Sequence, residues 1–195
     1  MRYLDKFRVI ESNGTPLAGL PPSIEVETFS RQIGLNEDEA EKFTHLWLES
    51  RPHFLIHHFR FRTPHPIMGV FFFGDIVCIN QLQGVPPLIK AFIALHESRH
   101  AYQWSRGIFE EKYFKPVVEE RREDFLEGYI ELESDANTWA LETLRGGGFE
   151  DFVEKRRHHL RQNELMGTQV YNMMLRDIKM TRSASMADLL SSQIF

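Results

Sequence analysis

The sequence has few of the features that mark exported, membrane-spanning or nucleic-acid-binding proteins. Its 195 residues include one cysteine, so no disulfide can form within the chain, and this composition favours a reducing compartment. No run approaches the roughly 18 consecutive apolar residues of a membrane span, and the N-terminal stretch lacks the apolar core of a signal peptide. The formal net charge of −5 argues against a general nucleic-acid binder. We therefore predict a cytoplasmic protein that binds neither membrane nor nucleic acid.

The composition is that of an ordinary globular protein. Hydrophobic residues make up 42% and charged residues 26% of the chain, and its length suits one domain that buries most of its apolar surface. We predict a single domain over residues 1–195, with an irregular N-terminal arm over residues 1–35. Glycines and prolines punctuate that arm, and Ser23 to Phe29 is expected to be extended. One hypothesis is that this arm lies across the active-site cleft.

The most informative stretch is HESRH, residues 96–100, inside a long apolar run that predicts a buried helix. Residues four apart lie above one another on a helix, so His96 and His100 can reach one metal ion. Glu97 follows about 100° further round the helix and should flank the metal, free to take a proton from an activated water. His96 and His100 are therefore candidate ligands, and Glu97 is the candidate general base.

A third ligand is expected from the helix predicted over GYIELESDANTWALETLRGGG, because a catalytic zinc has three protein ligands and one open position. Glu131 and Glu133 are both available, but a helix turns them to different faces. Glu133 shares its face with Asn137, which could orient a histidine from behind, and with two alanines that allow close helix packing. In the other register Glu131 would be the ligand and Asp135 the outer acceptor.

Together, HESRHAYQ and ESDANTWA resemble the paired motifs of gluzincin-type zinc metallopeptidases, most closely the compact minigluzincins and the ImmA-like phage and plasmid peptidases. The resemblance covers residues 66–145, the expected catalytic core. It implies a zinc-dependent hydrolase with His96, His100 and Glu133 as ligands and Glu97 as general base. The register beginning at Glu131 is instead similar to the ligand motif of thermolysin-like enzymes, so both acids stay open.

The expected fold is α+β: a small, twisted, antiparallel-rich sheet packed on the zinc-motif helix and the ligand helix, with further helices at the C-terminus. Asn36 and Glu39 predict a capped helix, and residues 53–63 a strand. Val70 to Phe73 and Ile76 to Ile79 predict a hairpin whose second strand could present its edge to an extended peptide. We expect the zinc helix to end near Arg106-Gly107, and Gly128 to separate two later helices.

Other candidate residues have weaker patterns. Gln103 falls on the face of His100 and could support a ligand or the substrate. Hydrolysis also needs a donor to the oxyanion, for which His158, His159 and Tyr171 are candidates. His57, His58 and His65 favour structural roles, since a strand sends neighbouring side chains to opposite faces. The sole cysteine, Cys78, is expected to be a small buried hydrophobe rather than a thiol that caps the metal.

The main hypothesis from the sequence is a zinc metallopeptidase that acts on a peptide or protein substrate. Zinc lowers the pKa of a water ligand toward neutrality, and Glu97 would take the proton as that water attacks a peptide carbonyl. The first alternative is a zinc-stabilised, catalytically inactive regulatory or binding module. A second alternative is a domain that binds no metal and holds a degenerate motif.

Overall fold

A computed structural model describes residues 23–50, 55–60, 68–72, 76–157, 167–176 and 178–179. The elements in chain order are helices α1 (Val26–Ile33) and α2 (Glu37–Glu49), strands β1 (Leu55–Phe59), β2 (Gly69–Phe72) and β3 (Ile76–Asn80), then helices α3 (Pro87–Ser105), α4 (Lys115–Val118), α5 (Arg122–Gly146) and α6 (Glu150–Arg157), with a π-helical turn over Glu110–Phe114. Residues 167–176 are also helical. None of the described helices has the length and apolarity needed to cross a membrane.

Helix α1 corrects the prediction of an irregular arm over residues 1–35. Val26, Phe29 and Ile33 are buried at helical spacing on one face, and Gly34 ends the helix in the left-handed conformation with φ of 92°. The prediction of extended structure for Ser23 to Phe29 is confirmed only at its start, where Ile24 forms an antiparallel bridge with Ile56, and is wrong from Val26 onward. Residues 1–22, where the rest of the arm falls, lie outside the described part of the chain.

Helix α2 begins as predicted. The Asn36 side chain accepts a hydrogen bond from the backbone N–H of Glu39 at 2.9 Å, and the Glu39 carboxylate accepts one from the Asn36 N–H at 3.1 Å. This reciprocal capping box satisfies two of the backbone donors that a helix leaves without intrahelical partners. The face of α2 that contains Phe43, Leu46 and Trp47 is buried against the core.

The described strands form a mixed sheet of order β1-β3-β2, in which β1 pairs parallel with β3 and β2 pairs antiparallel with β3. The α+β class is therefore confirmed, and the β2–β3 pairing agrees with the predicted hairpin. The expectation of an antiparallel-rich sheet is not supported, because alternation of apolar residues identifies a strand without identifying its neighbour. The strand before α3, β3, is central in the described sheet, so β1 and β2 rather than β3 occupy the edge positions.

Two compact units are distinguished within the chain. The first comprises Met1–Ser105 and Asp135–Leu160, and the second comprises Arg106–Ser134 and Arg161–Phe195. The core of the first unit lies where α1, α2 and α3 pack with the sheet and with the C-terminal turns of α5. The second unit has an aromatic cluster, formed by Phe109, Tyr113, Phe125, Tyr129 and Tyr171. The expectation of one domain over residues 1–195 stays a prediction.

Helix α5 contributes residues to both units and corrects the break predicted at Gly128. The helix runs without interruption from Arg122 to Gly146. Gly128 is needed for another reason: a Cβ at this position would overlap the carbonyl oxygen of Lys112 in the π-helical turn. Close approach of two backbones therefore explains this glycine. From the sequence alone it had been predicted to mark the boundary between two helices.

Candidate metal centre

Helix α3 places the two histidines of the motif together, as their spacing predicts. The helix begins at Pro87, whose fixed φ suits a first helical turn, and its apolar N-terminal half is buried against β2 and β3. The Nε2 atoms of His96 and His100 lie 3.0 Å apart. Their rings are perpendicular, with centroids 4.6 Å apart. The helix ends at Ser105, and Gly107 follows with φ of 73°, close to the predicted end.

Glu133 completes a group of three side chains that could hold a metal ion. One ligand atom from each of His96, His100 and Glu133 lies within 4.8 Å of the other two, with His100 buried and the other two half-buried. The alternative acid, Glu131, is exposed and forms an ion pair with Lys112 of the π-helical turn. The difference follows from the helix, which turns residues two apart to different faces.

A side chain of α5 is hydrogen-bonded directly to the His96 ring. Its Nδ1 atom lies 3.0 Å from the side-chain carbonyl oxygen of Asn137 on α5. An amide oxygen can only accept a hydrogen bond, so Nδ1 carries the proton and the Nε2 lone pair is left for a cation. Asn137 is therefore in contact with the His96 ring, and its role in orienting a metal ligand stays a prediction.

A hydrogen-bonded chain of three side chains begins at the His100 ring. His100 Nδ1 donates to Gln103 Oε1 at 2.8 Å, and Gln103 Nε2 donates to Asp135 Oδ2 at 2.7 Å. Asp135 also accepts two hydrogen bonds from Arg99, at 2.8 and 3.0 Å. These bonds from Arg99 hold the pKa of Asp135 below its usual value, and the bond from Gln103 acts in the same direction. Asp135 thus supports His100 through Gln103 on the side of α3 where Glu133 is the third candidate ligand. The sequence had predicted this role for Asp135 only if Glu131 were the ligand.

These hydrogen bonds leave the two histidines in an arrangement that could hold a cation. With each Nδ1 atom bonded to an amide oxygen, the two Nε2 atoms face one another across 3.0 Å, where one cation could bind both lone pairs. Two nitrogens bound to a tetrahedral zinc at about 2.0–2.1 Å would lie about 3.3 Å apart. The two nitrogens and the carboxylate of Glu133 therefore lie close enough together to hold one metal ion.

Glu97 is half-buried and lies against the edge strand. A Cβ at Gly69 of β2 would come 3.2 Å from the Glu97 carboxylate oxygen and would also overlap the side chain of Ile93. Glycine at this position therefore leaves room for the Glu97 side chain between α3 and β2. Gly69 was not predicted as a site residue, although a glycine at the start of an otherwise β-prone run is a signal for close approach by another group.

Two further residues near the acids were not singled out by the sequence. Arg99 lies inside the motif and reaches Asp135, as described above. Tyr113 of the π-helical turn is close enough to Glu133 for the two to interact: burial, then Tyr129 and Glu133, raise the pKa of its phenol. π-helical turns are frequent at functional sites. No spacing rule in the sequence connects Tyr113 or Arg99 with an acid on a different helix.

The remaining candidates are placed as follows. Tyr171 is buried against Phe125, with ring centroids 5.3 Å apart, and its role as oxyanion donor stays a prediction. His158 and His159, like His65, lie outside the described residues. Cys78 is a free, buried thiol, and burial together with Glu97 raises its pKa to about 12, so it stays a neutral thiol.

Comparison of the chain with family models, curated proteins and solved structures finds no match, so the interpretation of this centre rests on its own geometry.

Proposed function

We propose that the protein is a zinc-dependent metallopeptidase of the gluzincin type. The observation that supports this most strongly is the convergence of His96, His100 and Glu133 on one point, with both imidazoles held in the tautomer that leaves Nε2 available. Two histidines and one carboxylate leave a fourth position for water or substrate, which is typical of catalytic rather than structural zinc. The resemblance of HESRHAYQ and ESDANTWA to the paired gluzincin motifs points the same way.

Each group has a distinct task in the proposed reaction. His96, His100 and Glu133 would hold the ion, which would supply Lewis-acid activation of water and of the scissile carbonyl. Glu97 accepts the proton of the attacking water and passes it to the leaving amine as the C–N bond breaks. Asn137 and Gln103 keep the two imidazoles fixed throughout, and Gly69 keeps the space that Glu97 occupies.

The proposed substrate is a peptide or protein segment in extended conformation. Strand β2 is at the edge of the described sheet and borders Glu97, so a peptide could pair with its backbone and pass the general base. We place the activity in the cytoplasm, since the sole cysteine is a buried, free thiol rather than part of a disulfide.

The test is to quantify zinc and peptide cleavage in the wild-type protein and in Glu97→Gln. We expect about one zinc per chain and cleavage of a peptide library that a chelator abolishes and added zinc restores. Glu97→Gln should keep its zinc but lose cleavage by about 10²- to 10⁴-fold, the usual contribution of a general base. Glu131→Gln is the matched control, since Glu131 pairs with Lys112.

Three other outcomes separate the alternatives. Full hydrolysis by zinc-loaded Glu97→Gln would refute Glu97 as the base and leave the metal centre standing. Zinc that raises the melting temperature without any chelator-sensitive cleavage would favour the zinc-stabilised binding module. Absence of zinc binding in the folded wild-type protein would leave the degenerate, metal-free domain as the better description.

A further inference from the structure

We infer that Arg99 is a positioning residue of the metal centre, which sets the tautomer of His100 from a distance through Asp135 and Gln103. The inference rests on the proposed metal site and adds to it a residue that touches neither metal nor substrate. It follows from the direction in which each hydrogen bond of the chain must run.

The direction is fixed at the Arg99 end. A guanidinium has donors and no acceptor, so the paired contacts of 2.8 and 3.0 Å make Asp135 the acceptor with both carboxylate oxygens. This two-point contact holds the plane of the Asp135 carboxylate, which a single bond would leave free to turn. Asp135 Oδ2 is thereby held where Gln103 can reach it, at 2.7 Å.

Asp135 then decides which way the Gln103 amide points. A carboxylate oxygen accepts hydrogen bonds, so the amide must present its NH₂ group to Asp135. The reverse orientation would bring two oxygens within 2.7 Å of each other. Gln103 is 1% exposed, so water has little access to stabilise that reverse orientation. Its carbonyl oxygen is therefore directed at His100.

The Gln103 carbonyl finally decides the tautomer of His100. Because it only accepts, the contact of 2.8 Å requires the proton on Nδ1 and leaves the Nε2 lone pair toward His96. If the amide turned over, its NH₂ would face Nδ1 and favour the tautomer protonated at Nε2, which cannot bind a cation through that atom. Loss of the two Arg99 bonds frees Asp135 to move and makes that reversal less costly.

Arg99 is itself held by more than its ion pair. Its guanidinium carbon lies 4.6 Å from the ring centroid of Tyr102 and 5.8 Å from that of Trp139, both within reach of cation–π attraction. Its side chain is 24% exposed. A lysine could keep the positive charge but could not donate two parallel hydrogen bonds from one plane, so the two residues should not be interchangeable here.

The experiment compares Arg99→Gln and Arg99→Lys with wild type and with a matched control, Arg145→Gln. Arg145 also pairs with a carboxylate, that of Glu154 at 3.0 Å, in the same unit of the chain. Zinc affinity is measured by competition with a chromophoric chelator. In the metal-free proteins, the ring nitrogens of His96 and His100 are read by ¹⁵N NMR, which reports the tautomer of each ring directly.

We expect Arg99→Gln to bind zinc about 10- to 100-fold more weakly, the range for loss of an outer ligand partner, while Arg145→Gln matches wild type. Metal-free wild type should show His100 protonated at Nδ1. Arg99→Gln should show a mixture of tautomers at His100 with His96 unchanged, since Asn137 backs that ring independently. Arg99→Lys should fall between the two, and it provides the test if Arg99→Gln does not fold.

Failure of this inference and failure of the proposed function are distinguishable. Wild-type zinc affinity together with an unchanged His100 tautomer in a folded Arg99 variant overturns the role of Arg99 and leaves the metal centre intact. If the wild-type protein binds no zinc, the proposed function fails, whereas the NMR comparison still decides whether Arg99 sets the tautomer. A shift of both histidines to mixed tautomers would indicate general loosening of the helices and would also overturn the inference.

Discussion

Two pairs of histidines in this chain show why burial alone does not identify a candidate metal ligand. His57 and His58 are neighbours on β1, and His96 and His100 are four residues apart on α3; both pairs contain buried rings. A strand directs neighbouring side chains to opposite faces, whereas one turn of helix brings residues to the same face. The strand pair is therefore split between two environments, and the helix pair converges to 3.0 Å.

The surroundings of the two pairs differ as much as their spacing. His58 contacts Gln32 through Nδ1 at 2.9 Å and meets the edge of Phe29, with ring centroids 5.3 Å apart. Within the described residues its buried Nε2 has no hydrogen-bond partner. Burial, and then Lys90, lower its pKa to about 4. His96 and His100 instead each have a polar partner at Nδ1, and a carboxylate oxygen of Glu133 lies near both rings.

The largest expected difference between the two pairs appears when one histidine is removed from each and zinc affinity is measured. Binding of a structural zinc amounts to about 10–16 kcal/mol over four ligands, or about 2.5–4 kcal/mol for each ligand, so loss of one ligand should lower the affinity about 10²- to 10³-fold. We expect that loss for His100→Ala and no change for His58→Asn, in which the Asn amide can still donate to Gln32. Competition titration with a chelator measures both; equal zinc affinity in the two variants would contradict the assignment of the α3 pair.

The second prediction concerns pH and the buried ring of His58. The folded pKa of about 4 lies below the usual 6.5, so the unfolded chain takes up a proton that the folded chain excludes. The free energy of unfolding should therefore be unaffected by this group above pH 6.5, fall as the pH drops, and be lower by about 3 kcal/mol at pH 4. Urea unfolding of wild type and His58→Asn between pH 7 and 4 measures it. Identical pH dependence in the two proteins would contradict the buried neutral ring.

The smallest expected effect sharpens the choice between the two acids of α5. Glu133→Gln keeps an oxygen near the histidines but loses the negative charge, so we expect zinc affinity to fall about 10- to 100-fold. Glu131→Gln removes the ion pair with Lys112 at the surface and should leave zinc affinity unchanged. The same chelator competition compares them, and the reverse result would move the third ligand to Glu131.

Local rules predicted the parts of this molecule that depend on neighbours in sequence. The i, i+4 histidines, the capping box of Asn36 and Glu39 and the end of α3 all depend on geometry within one or two helical turns. Helical periodicity gave Glu133 the better set of neighbours but left Glu131 open, and it is Glu133 that lies beside the two histidines.

The parts that escaped prediction depend on how distant segments meet. Asp135 reaches Arg99 and Gln103 only because α3 and α5 pack in one particular register, more than thirty residues apart in sequence. The parallel pairing of β1 with β3 and the contact of Gly128 with the π-helical turn have the same origin. A single sequence specifies such contacts through the energy of the whole fold, which no short pattern expresses.

The residues of α5 that contact the two histidines or their hydrogen-bond partners all lie within five positions. Glu133, Asp135 and Asn137 follow one another at alternate positions within residues 133–137, and each reaches a different part of the histidine pair or its backing. Residues 96–103 of α3 provide the counterpart. These two short segments, residues 96–103 and 133–137, are therefore the parts to transfer if the centre is grafted onto an unrelated helical hairpin. The spacing of the side chains within each segment is set by its own sequence.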